Sequence, residues 1–271
     1  MFKQRLLAAL VLIPLVVVGV LYLPQLFFSL AVAAVMLLGA WEWTRLIPLN
    51  GRSQRSAFLL LIGLLLLLLG RFVADPGWVA VMLGAGVAWW LGVLAWFRSP
   101  KWASDIPLVK ILAALPALLP AWGALAVLHG QTVQGPQLVL FLLVLIWTAD
   151  SGAYFVGKTL GRHKLAPAIS PGKTWEGVAG GLLASAGLAA VAAWWLDVPD
   201  AQKTGFVLLA VVSAGCSVIG DLFISLLKRQ QGLKDSGHLI PGHGGILDRI
   251  DSLLAAAPVF LFGYGVMGFD A

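Results

Sequence analysis

Cysteine is almost absent from this chain of 271 residues: Cys216 stands alone, which excludes a disulfide within the chain and a cysteine-rich zinc site. Charge is scarce too. Asp, Glu, Lys and Arg make up 11% of the residues, against roughly a quarter in an ordinary soluble domain, so little sequence remains for a water-facing body. Neither an internal repeat nor a low-complexity linker stands out. What fills the chain is apolar: 60% of residues are hydrophobic, in runs that recur along nearly its whole length. About 20 such residues cross a hydrocarbon layer of roughly 30 Å as a helix, which satisfies its own backbone there.

These runs predict an all-α, polytopic integral membrane bundle of about nine transmembrane helices, near 5–23, 25–43, 57–74, 77–97, 108–128, 136–156, 174–196, 203–227 and 251–268. The first has the basic start and apolar middle of a secretory signal. No small-x-small cleavage site precedes a polar region, however, so an uncleaved first helix is expected. Residues 1–135 supply five N-terminal spans and 136–271 four catalytic ones, within one integrated membrane domain.

Nine spans put the termini on opposite sides. With the N-terminus cytoplasmic, 16 of the 18 Lys and Arg fall inside and only Arg71 and Lys203 outside, as the positive-inside rule favours. The net charge of +6 is then an inward-facing surface and not a nucleic-acid footprint.

The outer connectors, 129–135 and 197–203, are short and plain, and His129 is expected at the outer surface. Two inner loops differ: DSGAYFVGKTLGRHKLAPAISPGKTWEG, residues 150–177, and SLLKRQQGLKDSGHLIPGHGGILDRIDS, residues 225–252. Asp150 lies at or within the inner end of the sixth span, where an aspartate costs a few kcal/mol unless it faces the bundle interior or water. It is either a satisfied buried acid or part of a site. Gly152, Gly157 and Gly161 allow a turn or a close approach to a ligand. PGKT at 171–174 is not a nucleoside-triphosphate P-loop, because Pro167 stands where the first glycine is required and no strand is expected before it. Lys173 and the start of the seventh helix near Thr174 instead suggest an anion-binding end, with Glu176 as its alternative capping group.

In the eighth span Ser213, Ser217, Asp221, Ser225 and Arg229 recur every fourth residue, a stripe that winds slowly around the helix. Asp221, Ser225 and Lys228 share one face. Ser213 and Ser217 also fit ordinary helix packing, whereas Asp221 requires a cation or proton at that depth. Asp248 and Asp251, three apart, share a face of the ninth helix's first turn. They read either as a helix start or, with Asp221, the nearby cations and the backbone freedom of HGG at 243–245, as a phosphate site. Carboxylates beside lysines, without cysteine or paired-histidine spacing, suit Mg²⁺ better than zinc. Such a set serves phosphoryl or nucleotidyl transfer through positioning and charge neutralisation. His163, His238 and His243 are candidate proton shuttles or phosphate donors, with a hydrogen-bonding or loop-organising role favoured for His243.

Ser225, Lys228–Arg229, Lys234–Asp235, Gly237, Ile240–Pro241, His243–Gly244–Gly245 and Asp248–Arg249–Ile250–Asp251 resemble, at every fixed position, the signature of phosphatidate cytidylyltransferases, also called CDP-diacylglycerol synthases. The 150–177 block resembles the family's second recurrent region, and WEW at 41–43 a lesser N-terminal feature. The resemblance is strong over about 147–252. It implies condensation of CTP with phosphatidic acid to CDP-diacylglycerol and pyrophosphate, dependent on Mg²⁺ and with K⁺ as a possible second ion. It also implies a homodimer in a bacterial-type inner membrane with the active site cytoplasmic, the N-terminus in and the C-terminus out.

By that resemblance Asp221 and Asp248 lead as metal ligands, with Asp251 joining them and Asp150 at the cluster or beside it. Lys228 and Arg229 are the catalytic cations. Asp150, Lys173, Ser225, Lys234, His243 and Arg249 are the substrate-binding residues, and the partners are CTP, phosphatidic acid and membrane lipid. Two rivals remain. One is another Mg²⁺-dependent transferase acting on a lipid phosphate; the other is an ion-coupled transporter using Asp150, Asp221 and Asp248. A transporter wants its acids near the midplane; here they cluster with bases at one face.

Overall fold

The computed structural model describes residues 2–49, 51–131, 134–239 and 244–269. Among these it forms nine α-helices and one two-stranded hairpin. The helices are α1 (Phe2–Tyr22), α2 (Gln25–Trp43), α3 (Arg52–Leu69), α4 (Pro76–Trp96), α5 (Pro107–Gln131), α6 (Gly135–Leu160), α7 (Trp175–Trp195), α8 (Asp200–Gln230) and α9 (Leu247–Val266). Eight of them, α2 to α9, are long and apolar enough to cross a membrane, in line with the expected polytopic bundle.

Local chemistry sets several ends. Asp75 caps α4 by accepting from the N–H groups of Gly77 (2.8 Å) and Trp78 (3.1 Å), with Pro76 opening the helix, where its missing N–H costs nothing. Thr174 caps α7 by accepting from Gly177 N–H at 3.1 Å. Helix α8 is longer than its apolar run at both ends: it absorbs residues 200–203 of the expected 197–203 connector and continues through the polar Lys228, Arg229 and Gln230.

The core gathers around α5, whose Ala113, Ala114, Ala117, Ala121 and Ala124 are buried. Small side chains let neighbouring helices approach, as bilayer packing without a hydrophobic drive requires. Ala255, Ala256 and Ala257 do the same on α9. At the crossing of α4, α5 and α9, a Cβ on Gly86 would lie 2.8 Å from Pro120 and 3.4 Å from Pro258. The peripheral α3 buries only Phe58, Ile62 and Leu66, and its exposed Leu60, Leu64 and Leu67 suit a lipid-facing side.

Two sequence expectations are corrected. The 161–174 connection is not irregular: β1 (Lys164–Ala166) pairs antiparallel with β2 (Ser170–Thr174), in register Lys164↔Thr174 and Ala166↔Ser170. His129 is not a surface residue. It is buried, stacked on Phe28 at 4.0 Å, with Nε2 2.9 Å from the Val20 carbonyl oxygen. It joins α5 to α1 and α2, a long-range contact that a short polar connector conceals.

The connections α2–α3, α4–α5, α6–α7 and α8–α9 meet at one end of the bundle. Gln230 Nε2 donates to the carbonyls of Pro100 (2.8 Å) and Trp102 (3.0 Å), and Gln231 Nε2 to that of Ser104 (3.2 Å). Arg229 Nε donates to Ile169 O at 3.3 Å, and Arg45 Nη1 to Ser236 O at 2.9 Å. The four loops that the charge partition grouped on one side are thereby held together.

Candidate active site

Helix α8 is oriented from behind. Phe223 is fully buried and ringed by Trp43, Trp89, Trp90 and Trp96, with centroids 5.5–6.2 Å away. Two residues advance a helix by about 200°, so anchoring Phe223 in the core turns Asp221 to the opposite side. Ser225, one turn on, lies on nearly the same side and places its Oγ 3.4 Å from Asp221 Oδ1. Ser213 and Ser217 are buried and return their hydroxyls to the carbonyls of Leu209 and Ala214, which is packing and not chemistry.

The hairpin brings Lys173 to Asp221, and the two side chains form an ion pair, each about one quarter exposed. Glu176 ties the hairpin to the start of α7: it accepts from the backbone N–H groups of Arg162 (3.1 Å) and His163, and lies 2.6 Å from His163 Nδ1. Lys173 thus stands on a strand beside the helix start, where the Thr174 hydroxyl already accepts from the Gly177 N–H.

Beside this pair a cleft of about 480 Å³ opens between α6, α7, α8 and β2. Asp150, Lys158 and Lys173 give it polar wall, and Tyr154, Val178, Leu182 and Val218 apolar wall. Its floor is a seam where α6 and α7 touch almost backbone to backbone. A Cβ on Gly177 would stand 2.9 Å from Ala153 O, and one on Gly181 2.6 Å from Ala149 O. Gly152 and Gly157 lie inside α6 on the same seam, so their lack of a side chain serves helix contact rather than a turn.

Asp150 is within electrostatic range of Lys173, Asp221 and Arg249; Asp251 is within range of Asp221, Lys228 and Asp150. Helices α8 and α9 approach so closely here that a Cβ on Gly220 would overlap the Asp251 carbonyl oxygen. Asp150, Lys173, Asp221, Ser225, Asp251 and Arg249 therefore belong to one neighbourhood.

Asp248 makes a second centre. Its Oδ1 receives Lys228 Nζ at 2.7 Å, and its Oδ2 accepts from the N–H groups of Ser236 (2.9 Å) and Gly245 (3.1 Å). Both side chains of the pair are at most 10% exposed. Gly244 immediately before has φ +84°, a left-handed conformation that glycine adopts without a Cβ penalty, and it turns the loop into this grip. Arg229 is exposed beyond its carbonyl contacts, and Lys234 is exposed in the loop. His243 lies outside the described residues.

Sequence reasoning noted WEW at 41–43 only as a lesser family feature and gave Glu42 no role. It is buried at the end of α2, and its Oε2 accepts from Ser236 Oγ (2.9 Å) and Leu247 N–H (2.8 Å). The available signal was that α2 carries one acidic residue in an otherwise apolar run.

The residues fit a hard divalent cation in part. Among the described residues no three His, Cys, Asp or Glu side chains converge to hold a metal ion. Magnesium, however, commonly takes one or two carboxylates and completes its shell with water and phosphate oxygens. Asp221 already holds a cationic nitrogen, with Asp150 and Asp251 in range, so oxygen donors of the right kind are at hand. Asp248 is engaged by three donors.

A family model described as the cytidylyltransferase family matches residues 3–267. The phosphatidate cytidylyltransferase of Haemophilus influenzae is 40% identical over 285 residues, covering 97% of this chain and 99% of that protein. That of Pseudomonas aeruginosa is 42% identical over 264 residues, 96% of each. The phosphatidate cytidylyltransferase of Bacillus subtilis is 45% identical over a shorter stretch of 131 residues, 47% of each chain.

Proposed function

This chain belongs to the cytidylyltransferase family, and from that premise we propose that it transfers the cytidylyl group of CTP to phosphatidate, giving CDP-diacylglycerol and pyrophosphate in a Mg²⁺-dependent reaction. The observation that carries the proposal is the Lys173–Asp221 pair beside a cleft lined by both charged and apolar side chains. A lipid phosphate and a water-soluble nucleotide need such a meeting place.

An oxygen of the phosphatidate phosphate attacks the α-phosphorus of CTP, the bond from that phosphorus to the bridging oxygen breaks, and pyrophosphate leaves. A phosphate monoester is largely ionised near neutral pH, so the step needs no strong general base. The obstacle is repulsion between two anions. Lys173 and Lys158 line the cleft and receive the lipid phosphate, while Tyr154, Val178 and Leu182 take the first carbons of its chains. Lys228, Arg229 and Arg249 answer the triphosphate across α8 and α9. Each of Lys173 and Lys228 is paired with a carboxylate, which holds the ammonium in place while substrate oxygens add to its remaining donors. Asp221, with Asp150 or Asp251, would hold Mg²⁺, which supplies further neutralisation of the developing charge.

The reaction is assigned to the cytoplasmic face of a bacterial inner membrane, with the N-terminus in and the C-terminus out. The clustering of the basic loops at one end of the bundle supports this side. The transporter reading is weaker, because Asp221 and Asp248 sit with lysines at that same end.

The test is to incubate purified protein with phosphatidate, Mg²⁺ and CTP labelled at either the α- or the γ-phosphorus. The α-label should enter lipid and the γ-label should appear in pyrophosphate, and removing Mg²⁺ should stop both. Lipid carrying the γ-label, or synthesis unaffected by a chelator, would overturn the proposal.

A further inference from the structure

We infer that Glu42 is a positioning residue for the loop between α8 and α9, setting the geometry of Asp248 and Lys228 from the far end of α2. The inference rests on the proposed reaction for its consequence, but on geometry for its content. Two carboxylates share Ser236 and hold the residues just before Asp248. Ser236 gives its hydroxyl to Glu42 Oε2 at 2.9 Å and its N–H to Asp248 Oδ2 at 2.9 Å. Glu42 Oε2 also accepts from Leu247 N–H at 2.8 Å, one residue before Asp248, and Asp248 accepts from Gly245 N–H at 3.1 Å.

The loop is shaped around Glu42. A Cβ on Gly237 or on Gly245 would overlap its carboxylate, and on Gly245 also the Ser236 hydroxyl. Both glycines are signature positions, and neither has a positive φ. The room taken by Glu42, rather than backbone conformation, is what excludes a side chain there. Ser236 is fully buried and Glu42 is 1% exposed, and Arg45 on the next turn holds the Ser236 carbonyl at 2.9 Å. A buried carboxylate accepting two hydrogen bonds fixes its donors more firmly than a neutral acceptor does. It is fixed in turn by its helix, so Asp248 and Lys228 inherit their placement from α2.

The experiment compares Glu42→Ala, Glu42→Asp and Glu42→Gln with wild type by kcat, by KM for CTP, and by tryptic cleavage after the exposed Lys234. Glu42→Ala removes the oxygen that accepts both hydrogen bonds and should lower kcat by at least about 10-fold, the rate equivalent of one charge-assisted hydrogen bond. The same variant should open Lys234 to trypsin. Glu42→Gln keeps an oxygen for both donors and should recover most of the lost kcat and the protection. Glu42→Asp, shorter by about 1.5 Å, should fall between them, and serves if the alanine variant does not fold. Wild-type kcat per folded molecule with Lys234 protected, in the alanine or the aspartate variant, overturns the inference. If wild type makes no CDP-diacylglycerol yet the alanine variant still exposes Lys234, the assigned reaction fails while the positioning role stands.

Discussion

Replacing Asp248 by asparagine isolates the cost of stranding Lys228. The two side chains meet at 2.7 Å with exposures of 10% and 7%, so the ammonium has little access to water once its partner is neutral. Removing one member of a buried pair costs roughly 3–5 kcal/mol. Asparagine still offers an oxygen to the N–H groups of Ser236 and Gly245, so the low end, about 3 kcal/mol, applies. At about 2–4 °C per kcal/mol for a chain of this size, the unfolding midpoint in detergent should fall by about 6–12 °C, followed by tryptophan fluorescence. The double variant Lys228→Met/Asp248→Asn strands no charge and should regain at least half of that loss, about 1.5 kcal/mol, to which the cost of Lys228→Met alone adds in the coupling energy. Synthesis of CDP-diacylglycerol should stay lost in the double variant, because Lys228 no longer answers the phosphates. Single-variant effects that add within about 0.5 kcal/mol would refute the buried pair and the reasoning built on it.

Lys173→Met should reduce kcat by about 100-fold or more, the scale of losing one preorganised charge contact to a transition state, with an unchanged elution profile in detergent; near-normal turnover would remove Lys173 from the reaction. Gly181→Val places a side chain where even a Cβ stands 2.6 Å from Ala149 O, so it should force α6 and α7 apart and cut both the yield of folded protein and turnover, whereas a well-folded active variant would disprove the seam. His129→Ala removes the stack on Phe28 and the contact with Val20 O. It should cost about 1–3 kcal/mol of stability and leave turnover per folded molecule intact, since His129 lies at the opposite end of the bundle.

The bundle was legible because apolar length and the distribution of lysine and arginine are one-dimensional signals. The face shared by Asp221, Ser225 and Lys228 was legible because helix geometry is periodic. Three features escaped, each for a definite reason. The hairpin that presents Lys173 is held by pairing of Lys164 with Thr174, in a stretch whose prolines and glycines gave no sign of a strand. Gly152 and Gly157 looked like turn residues because a glycine that admits a neighbouring helix cannot be told from one that turns the chain until the neighbour is known. Glu42 acts on Ser236, 194 residues away, and no local pattern carries a contact of that separation. Pairing choices escaped as well: sequence placed Asp221 and Asp248 together among cations, while the fold assigns Lys173 to one and Lys228 to the other.

The most direct test of the account is transfer of α-labelled CMP to phosphatidate by Asp221→Asn, measured beside wild type at matched amounts of folded protein. If Asp221 organises Lys173 and a divalent ion as proposed, transfer should fall by at least about 100-fold with an unaltered unfolding midpoint. Wild-type transfer by that variant would contradict it.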